Sequence, residues 1–159
     1  MWYHFFFWLH IISYVIWLIT SVGSLVYGIK IKVEEKIPTK MNMIRSERLV
    51  SNAGNCIAFI SILISGIVMS SPNLGPPWGW FDIQLYPWLA VKQLFLFIIM
   101  ILLVIDIKRS MTLKTVLNQK NRLFREVKDR WIKTYRISLA IYTFVIASTL
   151  LGILKPALS

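Results

Sequence analysis

Trp8-Leu9-His10-Ile11-Ile12-Ser13-Tyr14-Val15-Ile16-Trp17 lies inside the first long uncharged run of the chain, and its reading decides the fold. A run of this length with no Lys, Arg, Asp or Glu is a membrane-spanning helix rather than the core helix of a soluble domain. The imidazole inside it is either buried beside a polar partner or bound to something. Spacings of three, four and seven place His10, Ser13, Tyr14, Trp17, Thr20, Ser21 and Ser24 on one side of that helix. This polar and aromatic face is expected to look into a bundle. The opposite side, with Phe5, Ile12, Ile16 and Ile19, suits lipid or a neighbouring subunit.

Outward from this run the same pattern repeats. Of the 159 residues, 57% are hydrophobic and the mean hydropathy is +0.64, too apolar for a soluble domain of this length. Four spans are predicted, near 5–28, 53–71, 88–107 and 137–154, each close to the ~20 residues that cross a hydrocarbon core. The expected architecture is all-α, a single four-helix transmembrane domain over residues 1–159. Leu113, Val116, Leu117, Leu123, Phe124, Val127, Trp131 and Tyr135 recur among Lys and Arg, which predicts a basic amphipathic cytoplasmic helix before the last span. That helix either lies on the headgroups or extends span four inward.

The formal charge of +11 is concentrated in two loops. From Ile29 to Asn52 there are six basic and three acidic residues, and from Ile107 to Arg136 ten and two. Such segregation follows the positive-inside rule and argues against nucleic-acid binding. It predicts that both basic loops are cytoplasmic and that both termini lie outside, on the periplasmic side if the membrane is a bacterial inner membrane. The first run is preceded by no Lys or Arg and followed by no small-residue cleavage pattern, so it is read as a retained span. Between spans two and three, Trp78, Trp80, Phe81, Tyr86 and Trp88 are placed as interfacial anchors.

The chemistry-bearing residues are few. One cysteine, Cys56, permits neither an internal disulfide nor a cysteine metal cluster, and the phosphate-loop, HExxH, CxxC and serine-nucleophile motifs are missing. His4 and His10 are six residues apart and point about 120° away from each other on a helix, so they do not ligate one metal together. In the second span Gly54, Ala58, Ser61, Ser65 and Met69 recur at helical spacing; they either allow close helix packing or leave room for a flat cofactor. Lys92 lies one to two turns inside span three, where it either snorkels to headgroups or pairs with an anionic ligand. His10 and Lys92 are expected at one depth, where a porphyrin would take His10 on its iron and Lys92 on a propionate. Met69 is a candidate second axial ligand.

Leu9-His10-Ile11-Ile12-Ser13 with Trp17, then Glu47-Arg48-Leu49, Trp88-Leu89-Ala90-Val91-Lys92 and Lys155-Pro156 resemble the HemJ family over nearly the whole chain. The resemblance implies a four-helix membrane protein that binds haem b and oxidises the tetrapyrrole protoporphyrinogen IX, passing electrons to a membrane acceptor. It implies His10 as the axial ligand, Trp17 and Lys92 beside the cofactor, and Arg48 and Lys92 as functional cations. Membrane lipids, a homo-oligomer or a larger membrane complex are the expected partners. The competing reading is a non-catalytic subunit of a respiratory-type complex, in which His10 is simply a hydrogen-bonded buried residue.

Overall fold

In the computed structural model, residues 2–71, 87–118 and 124–154 are described, and they form four helices. These are α1 (Trp2–Val33), α2 (Ile37–Met69), α3 (Pro87–Leu117) and α4 (Phe124–Leu154). All four are long and apolar enough to cross a membrane, and the protein is a polytopic, all-α membrane protein. Three predicted spans lie within a helix, and the second, 53–71, runs two residues past the end of α2 at Met69.

The helices are longer than the spans. At ~1.5 Å per residue, α1 measures roughly 48 Å against a hydrocarbon core of ~30 Å. The hydropathy marks only the stretch that meets lipid. The rest continues as helix because it has its own core to bury. No separate amphipathic helix is distinguished between α3 and α4 among the described residues. The basic stretch predicted to form one is the end of α3 and the start of α4, so that its apolar members point inward and its Lys and Arg point out. Leu123, and the anchors Trp78, Trp80, Phe81 and Tyr86, lie outside the described residues, as do Lys155 and Pro156.

The helices run antiparallel in sequence. His10 meets Ser65, Trp17 meets Asn55 and Ser24 meets Glu47, rising along α1 while falling along α2. Phe95 meets Phe144 and Asp106 meets Ser138 in the same sense between α3 and α4. The bundle therefore has a His10 end and a basic end. α1 and α2 are joined by residues 34–36 alone, and Pro38 fits the first turn of α2, where its missing N–H has no helical partner to lose.

Two hydrophobic cores result. The larger holds Trp17, Phe59, Ile62, Ile99, Leu103, Ile141 and Val145. The smaller, at the basic end, holds Ile31, Ile44, Leu113, Val116, Val127 and Trp131. The polar stripe of α1 faces inward as its spacing predicts: Ser13, Trp17, Thr20, Ser21 and Ser24 are buried, and Trp17 is 1% exposed against 66% for Ile19 on the lipid side. Close approach explains two glycines. A Cβ at Gly54 would overlap the Thr20 side chain, and one at Gly28 would overlap the ring of Tyr135. The small residues of α2 thus seat α1 directly against it.

Candidate functional site

Polar side chains buried in a membrane bundle are costly unless paired, so their clusters locate what the fold is built to hold. Two such clusters occur among the described residues, with a hydrogen-bonded thread lying between them in the larger core. In the thread, Trp17 Nε1 donates to Asn55 Oδ1 at 2.8 Å, Asn55 Nδ2 donates to Ser51 Oγ at 3.4 Å, and Ser51 Oγ shares a 2.8 Å hydrogen bond with Tyr142 Oη.

The first cluster lies at the His10 end. His10 Nδ1 is 2.8 Å from Ser65 Oγ. Besides Ser65, the imidazole also has a hydrogen bond with the backbone of Ile62. Ser65 Oγ also lies 2.7 Å from the Ser61 carbonyl oxygen and 3.1 Å from that of Ile62. A carbonyl only accepts, so when the single hydroxyl hydrogen of Ser65 goes to Ser61, Ser65 receives the hydrogen of His10 Nδ1. Nε2 then carries the lone pair. This is the tautomer in which histidine ligates metals, with the second ring nitrogen fixed by an outer partner.

Tyr14 organises the rest of this end. Its ring meets the imidazole edge-on with centroids 5.2 Å apart, and Lys92 Nζ lies 5.9 Å from its centroid on the cation-π side. Its hydroxyl shares a 3.1 Å hydrogen bond with Ser148 of α4. Lys92 also packs over Gly152, where an added Cβ would come within 2.6 Å of Nζ. The fold therefore brings His10 and Lys92 to one level, both against the ring of Tyr14.

The second cluster separates the two cores. Arg48 grips Glu47 with two charge-assisted hydrogen bonds, Nε to Oε2 and Nη2 to Oε1, each 2.7 Å. Its Nη1 donates to Asp106 Oδ1 at 3.1 Å, and Nη2 also donates to Ser138 Oγ at 3.0 Å. Ser138 in turn donates to Asp106. Glu47 is completed by Ser24 Oγ at 2.7 Å and Trp131 Nε1 at 3.1 Å. One guanidinium thus faces two carboxylates, and the excess negative charge is spread over three neutral donors. Glu47 is 0% exposed and Asp106 1%. All four helices contribute.

Of the residues singled out in the sequence, His10 and Lys92 meet at Tyr14. Met69 is buried on α2, four residues beyond Ser65 and so about one turn nearer the same end. Trp17 lies seven residues deeper than His10, in the core, with its indole N–H already given to Asn55. Arg48 lies seventeen residues from Ser65 along α2, about 25 Å away, in the ionic layer. Ser24, Asp106, Trp131 and Ser138 were not marked as functional by the sequence reading, although Asp106 stands out as the one acid inside an apolar run. Among the described residues no group of three or more His, Cys, Asp or Glu is gathered to hold a metal ion.

The chain matches no family model, and no curated protein and no solved structure matches it.

Proposed function

We propose that this membrane protein is a haem-binding redox protein of HemJ type, with His10 as axial ligand and protoporphyrinogen IX as the tetrapyrrole oxidised. The carrying observation is the imidazole at the His10 end, half-buried in the bundle with Nδ1 held 2.8 Å from Ser65 Oγ. The donor set fits haem b at one axial position. Met69 is the candidate for the other, and Lys92 is the cation for a propionate. When bound, the haem would supply a one-electron relay to a membrane acceptor. Ser65 keeps the ring in the ligating tautomer, Tyr14 limits its rotation, and Lys92 places positive charge beside the site. Arg48 acts at a distance in this reading, by holding the bundle together. With the basic end cytoplasmic, the His10 end faces the periplasm of a bacterial inner membrane.

The test is an absorption spectrum of the detergent-solubilised protein, oxidised and reduced. A Soret band that disappears in His10→Ala, with helicity retained, is the expected result. A colourless wild-type protein reconstituted with haem b, or a band unchanged in His10→Ala, overturns the proposal. Complementation of a strain lacking protoporphyrinogen oxidase then separates the oxidase from a haem carrier.

A second reading has its own support. His10 is already hydrogen-bonded to Ser65, and Phe5, Ile12, Ile16 and Ile19 are exposed along α1. Both features suit a non-catalytic subunit of a larger complex. Co-purification with other chains at fixed stoichiometry, with no pigment in this one, is its signature.

A further inference from the structure

At the basic end, a cavity of about 220 Å³ opens between α1, α2 and α4, away from the His10 cluster. Its floor is apolar and aromatic, formed by Ile31, Trp131 and Phe124. Among the described residues three ammonium groups line it, Lys32 from α1, Lys40 from α2 and Lys128 from α4, and no carboxylate does. Among the described residues none of the three lysines is in an ion pair. Lys40 Nζ instead lies 5.8 Å from the centroid of the Phe124 ring. Three like charges around one concavity repel one another, and the arrangement gains when an anion enters.

We propose that this cavity binds the phosphate of an anionic phospholipid headgroup. A basic pocket between membrane helices at the positively charged end is the setting in which such headgroups are held. Two further features favour a lipid over a free ion. The wall is fixed in advance, because Trp131 gives its indole N–H to Glu47 in the buried ionic layer. The column above Lys32 is apolar: Leu25 and Leu18 stand seven and fourteen residues before it, on the same face of α1 and two and four turns deeper. Leu25 is exposed, so an acyl chain attached to the bound headgroup has a surface to lie along. This inference is independent of the haem reading.

The test uses the full chain in a neutral detergent, with retained lipid counted by native mass spectrometry and stability followed by thermal shift. Wild type is expected to retain one phosphatidylglycerol in preference to phosphatidylcholine. The triple variant Lys32→Gln, Lys40→Gln, Lys128→Gln should lose affinity by about a hundredfold, at ~1 kcal/mol for each basic residue. The corresponding triple Lys→Arg variant should keep it. A control at the same end, Lys108→Gln, Arg109→Gln, Lys114→Gln, should bind as wild type does. An equal loss in the control means general surface charge and overturns the site. Displacement of phosphatidylglycerol by equimolar inorganic phosphate overturns the lipid as the source of the anion. Equal stabilisation of wild type by the two lipids overturns the proposal whether or not the variants fold.

Discussion

The ionic layer around Arg48 and the cluster around His10 are both polar islands in an apolar bundle, and they are finished differently. In the layer, each oxygen of Glu47 accepts two hydrogen bonds, and Arg48 uses Nε and both terminal nitrogens. In the cluster, His10 is held by one side-chain hydrogen bond among the described residues, from Nδ1 to Ser65. A completed network holds four helices in place. An imidazole held by one side chain has capacity left for something else. Burial of a charge is thus weak evidence of a binding site, whereas a fixed donor with a remaining lone pair is better evidence.

Substitutions should separate the two regions by size of effect. The largest is expected for Arg48→Leu, which leaves two buried carboxylates without their cation and should cost about 3–5 kcal/mol. Thermal unfolding in detergent is the measurement, and a loss under about 1 kcal/mol would mean that the layer is hydrated and not a lock. Adding Glu47→Gln and Asp106→Asn to Arg48→Leu should recover part of the loss, since the orphaned charges are then gone. Next comes Trp131→Phe, which removes one donor from Glu47 and should cost about 1–3 kcal/mol by the same measurement. At the other end, Tyr14→Phe deletes the hydrogen bond to Ser148 and should cost only about 0.5–1.5 kcal/mol. His10→Ala is expected to cost least in stability, removing a half-buried side chain whose serine partner keeps its carbonyl bonds. An unfolding loss for His10→Ala as large as for Arg48→Leu would erase the contrast.

The sequence carries much of this, unevenly. Helical spacing alone puts Ser13, Trp17, Thr20, Ser21 and Ser24 on the inner face of α1, because burial of a stripe is a local property of a helix. The same spacing identifies Leu113, Val116, Val127 and Trp131 as apolar positions among basic ones. It does not say whether they meet headgroups or each other, and they form the second core. The ionic layer is the least legible part. Glu47 reads as a loop charge, Arg48 as a functional cation only through the resemblance, and Asp106 as the edge of a span, since the pairing of Arg48 with Asp106 joins residues 58 apart on two helices. Depth and neighbourhood in the bundle decide such a contact, and neither is written in a window of residues. His10 beside Lys92 was accessible to depth reasoning. That both would rest against the Tyr14 ring was not, as side-chain packing chose it.

The adjacency of Glu47 and Arg48 on α2 bears on how the molecule is assembled. With residues 34–36 alone between α1 and α2, these two helices can enter the bilayer as one hairpin. That hairpin brings its anion and cation already clasped, with Ser24 of its own first helix as a third hand. The later hairpin carries Asp106 with only Ser138 to shield it. Its carboxylate finds a counter-charge when it reaches Arg48. Docking of the two halves is thereby directed by electrostatic need in a solvent where apolar surfaces attract each other little.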